Sequence, residues 1–453
     1  MARKYPGQGK PEPLRVIHPD CAGIDVGSRE HWVATDPSRC SEPVRRFDAF
    51  TQSLEELADW LREMGITTVA MEATGVYWIP LFELLDRRGF KVYLVNSRAT
   101  KQVSGRKSDV LDCQWIWQLM SYGLLRGAFR PNDDTCVLRA LVRQRALKVR
   151  DQARAVLHMQ KALTQMNLLL ANVVSDITGK TGLAILRQIV GGERDPLKLA
   201  ALRDRRLKAD TDQVARSLRG NWRDEHLLAL AQALAHFDFL AAQMSDCDLA
   251  IEQALARQAL DGVEPAPPSK LLRSPHRSSA QQAHLHQALV KTLGVDLTAI
   301  PTIALETALV FAAEVGPDLS RFPTCEHFCS WLTLAPDTRI SGGKRLPGRP
   351  VKRFNRVGQA LRQAAANARN SQTFIGAAHR ARLARMDTPA AIKATAHHLA
   401  RLIYMMLTRG EAYTERGIEA FEAKTREKQL HALRRKAAQL GATIVFDDIK
   451  NAA

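Results

Sequence analysis

Two short apolar runs, Cys21 to Gly27 (CAGIDVG) and Thr68 to Glu72 (TVAME), each carry one acid near the C-terminal end, Asp25 and Glu72. Runs this short read as buried strands rather than helices. A carboxylate in such a strand is costly unless it is paired, capped or bound to a cation. The flanking pattern places these strands in a sheet. His31 to Thr35 and Val44 to Phe50 follow as antiparallel neighbours, and residues 51 to 64 repeat Leu54, Leu57, Ala58 and Leu61 at helical spacing. Trp78 to Arg88 reads as a helix, Lys91 to Val95 as a strand, and Lys107 to Met120 as a further helix. This order makes a mixed α/β domain of residues 16 to 130. Sites in open α/β sheets form beyond the carboxyl ends of strands, where Asp25 and Glu72 both fall.

The helix from Lys107 adds Asp109 and Asp112, which are three apart and so share one helix face. Carboxylates that close repel unless a cation lies between them, and hard oxygen donors suit Mg²⁺. A structural reading stays open, with Asp25 capping a turn at Gly27, Glu72 paired with an arginine, and the helical acids on a solvated face. Four acids able to converge weigh against it.

The chain has 65 Lys and Arg against 47 Asp and Glu in 453 residues, a formal charge of +18. That excess points to a polyanionic partner, nucleic acid first and an acidic membrane surface second. The membrane is disfavoured because the basic segments lack an apolar, aromatic-rich opposite face. No apolar run approaches the roughly 18 residues of a spanning helix, and no signal peptide is visible, so a cytoplasmic protein is expected. Seven cysteines, an odd number without framework spacing, suit a reducing compartment. Cys325 and Cys329 lack a second pair that would complete a zinc set.

Residues 1 to 15 read as a basic flexible arm. Residues 131 to 260 form a helical region in which 137 to 172 are almost free of Gly and Pro. Leu138, Leu141, Val142 and Val149 mark an apolar stripe, and Arg139, Arg143, Arg145 and Lys148 crowd the other faces. The expectation is a coiled-coil arm, self-paired or paired with residues 224 to 258, or else a bundle helix with a solvated basic face. Asp176 to Gly182 lacks the G-x-x-x-x-G-K-[ST] spacing, which excludes a nucleotide-hydrolysing loop. Residues 261 to 282, with Pro265, Pro267 and Pro268, read as a linker to a mostly α C-terminal domain of 283 to 420. Within it, Leu293 to Ala313 has the outline of two short helices joined by a turn, a shape that grips phosphates through backbone N–H groups. A basic helical tail, 421 to 453, ends the chain.

The second chemical centre is residues 339 to 362, with eight Lys or Arg and no acid. Gly342, Gly343 and Gly348 keep the backbone mobile and able to approach a phosphate. Lys344, Arg345, Arg349, Lys352, Arg353 and Arg356 can neutralise several phosphates. Ser341 places a small accessible hydroxyl in this positive field, where arginines could stabilise charge developing on phosphorus. A plain loop serine is the alternative.

Gly23-Ile24-Asp25-Val26-Gly27, Met71-Glu72-Ala73-Thr74-Gly75 and Lys107-Ser108-Asp109-Val110-Leu111-Asp112 resemble the three acidic motifs of the DEDD insertion-sequence transposases. The likeness extends through Asp176 to Gly182 and Ser341-Gly342-Gly343-Lys344 to the helix around His398 to Leu402, in the same order. It implies an RNase H-like (RuvC-like) N-terminal domain and a C-terminal domain with an essential serine. Asp25, Glu72, Asp109 and Asp112 would then be a tetrad binding Mg²⁺ or Mn²⁺, and Ser341 a nucleophile forming a phosphoserine link to DNA. The resemblance also implies a homo-oligomer, dimer or tetramer, in which the acidic site of one subunit meets the serine domain of another. A structured element-encoded RNA would bridge donor and target DNA. Two competing readings are a metal-dependent junction endonuclease without a covalent intermediate and a non-catalytic nucleic-acid-binding scaffold.

Overall fold

The computed structural model describes residues 15–96, 109–268, 270, 272, 276–336, 339–346, 355–415 and 417–443, with the backbone alone at Asp109, Arg339, Ile340, Arg345 and Leu346. The chain forms two compact units, Met1–Arg130 and Pro131–Ala453. The first unit is a five-stranded sheet of β1 (Cys21–Val26), β2 (Glu30–Ala34), β3 (Val44–Asp48), β4 (Thr68–Glu72) and β5 (Lys91–Val95). Its strand order is β3-β2-β1-β4-β5. β2 pairs antiparallel with β1 and β3, whereas β1, β4 and β5 pair in parallel. The helices are α1 (Thr51–Glu63), α2 (Trp78–Arg87) and α3 (Asp109–Ser121).

Strand alternation sorts the side chains between the two faces. Ala22, Ile24, Val26, Val69 and Met71 join Leu57, Leu61, Leu81 and Leu85 of α1 and α2 in one core. Cys21, Ala70 and Val95 pack with Ile116 and Met120 of α3 on the other. Gly23 shares that second face and makes it work. A Cβ there would lie 2.2 Å from the Trp117 nitrogen and 2.5 Å from the Cys113 oxygen, so α3 rests directly on the β1 backbone. The Ser121 carbonyl accepts from the nitrogens of Ile17 and His18, which sets the C-terminal end of α3 at the start of β1. The N-terminal end of α3 is therefore directed to the carboxyl end of β1.

The second unit opens with α4 (Asp133–Gln165), longer at its start than the pattern from 137 implied, because Asn132 caps it by accepting from the Thr135 nitrogen at 2.9 Å. The helix stops at Gln165 rather than 172, with Asn167 in the left-handed region at φ 56°. α5 (Lys180–Val190), α6 (Pro196–Ala200) and α7 (Thr211–Ser217) fold over its far end around Ile185, Leu186, Leu199 and Val214. α8 (Asp224–Arg257) then returns along α4. Contacts of Thr135 with Gln258, Arg145 with Asp248 and Gln152 with the Phe237 carbonyl make the pair antiparallel. By length and composition α8 alone, among the described residues, could cross a membrane, contrary to the expectation that no run was apolar enough. Its pairing with α4 and its buried Asp248 give that apolar face a use within the fold.

α9 (Ser279–Leu293), α10 (Leu305–Glu314), α11 (Cys325–Trp331), a hairpin of β6 (Arg339–Ser341) and β7 (Lys344–Leu346), α12 (Arg356–Asn367), α13 (Phe374–Leu383), α14 (Thr388–Arg409) and α15 (Gly417–Gln439) complete the unit. The two short helices expected over 293 to 313 are one 3₁₀ turn, Leu297–Ala299, and α10. The loop between them turns its carbonyls of Ile300, Pro301 and Ile303 to the Lys270 ammonium at 2.7, 3.0 and 2.8 Å. Residues 261 to 282, expected as a linker, thus include a lysine tied to the fold. They also include Arg277, 2% exposed, which donates to Asp248 at 2.7 Å and pairs with Glu306.

Replacing Gly23 with Val forces β1 and α3 apart. The expected cost is about 1–3 kcal/mol from overpacking, read as a lower melting temperature of the α/β unit. An unchanged melting curve would contradict the close approach of α3 to β1.

Candidate functional site

By strand alternation Asp25 lies on the face of Cys21 and Gly23, and Glu72 on the face of Ala70, so both belong to the side covered by α3. β1 and β4 are in parallel register up to Ile24 and Met71, and each acid is the next residue along its strand. α3 brings its N-terminal turn, with Asp112, to the same end. An independent sign of this convergence is Cys113, buried beneath the turn. Burial pushes its thiol up to about 12, and the charges of Asp25 and Asp112 both act in the same direction. The donors are carboxylate oxygens on two strand ends and one helix, half-buried at Asp25, Glu72 and Asp112, which in chemistry fits a hard divalent cation. Among the described residues no three such side chains are grouped closely enough to hold a metal ion, and the side chain of Asp109 lies outside the described ones.

One feature at this end escaped the pattern. Directly after Glu72 the chain turns through Gly75 at φ 55°, and Val76 and Tyr77 stand 67% and 48% exposed. The Trp78 indole donates to the Gly75 carbonyl at 3.2 Å and holds the turn. The signal was present in Gly-Val-Tyr-Trp, an apolar cluster following a glycine at the carboxyl end of a strand.

Ser341 is the last residue of β6 and pairs with Lys344 across a two-residue turn. Gly342 and Gly343 have φ of 56° and 73°, the left-handed pair that a tight type I′ hairpin turn requires. Residues 339 to 346 of the segment expected to be mobile thus form a hairpin with Ser341 and Lys344 exposed at its tip, and the rest, including Gly348, lies outside the described residues up to 354. The described residues on either side of this segment are tied to one another. Asn355 donates to the Trp331 carbonyl at 3.2 Å and caps α12 by accepting from the Gly358 nitrogen at 2.9 Å. Arg362 donates to both the carbonyl and hydroxyl of Thr333 at 3.0 Å, holding a β-branched residue at the uncommon φ of 60°. Of the cations assigned to phosphate, Lys344 is on this ribbon, Arg345 contributes its backbone, and Arg349, Lys352 and Arg353 lie outside the described residues.

Arg356 is placed differently. Its Nε lies 3.6 Å from Glu314, which also receives Arg143 at 2.7 Å and Arg139 at 3.4 Å. Arg145 is buried against Asp248 at 2.5 Å. Several arginines that the pattern put on a solvated basic face thus serve internal carboxylates. Glu314, which closes the apolar run Ala308–Ala313 in α10, was the one available signal, whereas Asp248 is one of six acids in α8 and gave none.

Two family models match the chain. One, described as DEDD_Tnp_IS110, a transposase model, matches residues 22–168, and the other, the transposase IS116/IS110/IS902 family, matches residues 296–379. No curated protein matches it. The first match contains Asp25, Glu72, Asp109 and Asp112, and the second contains the Ser341 hairpin.

A side chain at Gly343 meets nothing within 4 Å, so its only penalty is conformational. Gly343→Val should cost about 1–2 kcal/mol locally. Tryptic cleavage after Lys344 is expected to quicken about tenfold with the melting temperature unchanged. Cleavage at the wild-type rate would contradict the hairpin turn.

Proposed function

Because the chain belongs to the IS110-type DEDD transposases, we propose that this DNA transposase cuts and rejoins DNA through a phosphoserine intermediate on Ser341. The observation that carries the reading is the exposed serine beside Lys344 at the tip of a tight hairpin inside the second family match. The strand order β3-β2-β1-β4-β5, with β2 alone running against the others, supports an RNase H-like reading of the first unit. In this reading the antiparallel α4–α8 pair is a coiled-coil arm.

Asp25, Glu72, Asp109 and Asp112 would hold Mg²⁺ or Mn²⁺, which neutralises charge on the phosphodiester when bound. The Ser341 oxygen attacks phosphorus, and the bond to one strand oxygen breaks, that strand leaving as a hydroxyl. A hydroxyl of a second strand then attacks the phosphoserine, restores a DNA phosphodiester and returns the serine. Each step exchanges one phosphodiester for another, so the sequence needs no external energy source. Lys344, with Arg345, Arg349, Lys352 and Arg353, neutralises backbone phosphates, which makes binding steeply salt-dependent. Arg356 contributes less, since it shares Glu314 with two other arginines. The partners in this proposal are donor and target DNA, a bridging RNA encoded with the element, and further copies of the chain.

The test is denaturing electrophoresis of reactions with labelled element-end DNA. Wild type should give a protein–DNA adduct, Ser341→Ala none, and Asp25→Asn neither adduct nor cut ends. An adduct that survives Ser341→Ala would remove the serine from the mechanism. Cut ends without an adduct in that variant would favour a metal-dependent nuclease.

A further inference from the structure

A cavity of about 730 Å³ opens between α13, α14 and the Leu334–Pro336 segment that leads into the serine hairpin. It contains neither Ser341 nor any of the four acids. Its apolar lining comes from Leu334, Ala390, Ala394, Leu402 and Met405, and its polar lining from Arg382, Lys393, Arg401, His397 and His398. We infer that this cavity takes one unstacked nucleotide, its base in the apolar hollow between imidazole and guanidinium planes and its phosphate on Arg382, Lys393 and Arg401.

Size is the first argument, because sites for small ligands are typically about 300–1,000 Å³ and mostly apolar with a few convergent polar groups. Charge is the second. Around His397 and His398 stand the cations Arg382, Lys393, Arg401 and Lys424, against the acid Glu326. That excess attracts an anion and repels a metal ion. A bare phosphate would leave the apolar wall without a role, whereas a nucleotide uses both parts.

The imidazoles are the third argument. Burial first, then Arg382 and Arg401, push His398 down to about 4, so its ring is neutral near pH 7. Its Nδ1 is buried without a hydrogen-bond partner. A neutral ring can stack on a base and offer either a donor or an acceptor to its edge, as in recognition of unpaired bases. Arg382 is held in place by its hydrogen bond to Thr395 at 3.1 Å, so part of the wall is preformed. Two of its lining residues, Leu334 and Pro336, precede β6 in the chain, and the others belong to α13 and α14. The same chemistry is offered by a DNA strand, an RNA strand or a free mononucleotide.

The inference stands apart from the serine mechanism and is tested without catalysis. Full-length RNA-free protein is titrated into single-stranded DNA and RNA dodecamers carrying a central 2-aminopurine, and into the corresponding DNA duplex, with binding of each also followed by anisotropy. Wild type should give a saturable emission change with one or both single strands. Ala394→Trp, which fills the hollow, should abolish that change and weaken single-strand binding about tenfold, leaving duplex binding within about twofold. Arg401→Leu, which leaves the hollow open, should weaken it likewise and guards against misfolding of the first variant. Competition by dAMP or AMP would assign the site to free nucleotides, and resistance to both would assign it to a strand. Wild-type emission and affinity in both variants would overturn the inference. So would equal loss of single-strand and duplex binding, or displacement by an acidic peptide but not by either nucleotide.

Discussion

The backbone of α3 lies against Gly23 of β1 without room for a Cβ, and the acidic end of the α/β unit depends on that contact. A larger residue would lift the helix and with it Asp112. Because α3 runs against β1, its N-terminal turn arrives where the parallel strands β1 and β4 end in Asp25 and Glu72. Three carboxylates from distant parts of the sequence are thereby directed to one end of the sheet. The raised Cys113 thiol records two of their charges from beneath. Like charges directed to one end favour a cation between them, while among the described residues no three are grouped closely enough to hold one.

In the second unit the same economy governs the positive charge. Arg145 and Arg277 share the buried Asp248, and Glu314 gathers Arg139, Arg143 and Arg356. Removing one member of a buried pair strands the other, so these contacts hold α4, α8 and α10 in register with the segment before α9. These arginines are held by internal carboxylates and are not offered to a ligand. Lys344 beside Ser341 is exposed, and Arg382, Lys393 and Arg401 line the α13–α14 cavity. Gly342 and Gly343 set the turn that places Lys344 beside Ser341.

Much of the first unit was legible in the sequence, since strand alternation and helix spacing are local properties. All five strands, α1, α2 and α3 follow from such patterns. Three features were not legible. The 133 start of α4 depended on a single cap at Asn132, and its end on the left-handed Asn167, neither of which changes the apolar stripe. The ordered turn at Gly342 and Gly343 read as mobility, because paired glycines serve a flexible loop and a type I′ hairpin equally well. The internal use of the arginines was hidden because their partners, Asp248, Glu306 and Glu314, are far away in sequence. Pairing across such distances is a tertiary property, and periodicity cannot distinguish a solvated arginine from one that neutralises a buried acid.

Under the proposed function Asp25, Glu72, Asp109 and Asp112 hold a divalent cation. Electron paramagnetic resonance of Mn²⁺ tests it directly, because the six-line signal of the free ion is lost on binding. The account predicts that wild-type protein depletes this signal and that Asp25→Asn and Asp112→Asn each restore it without loss of fold. Undiminished Mn²⁺ binding in both variants would contradict it.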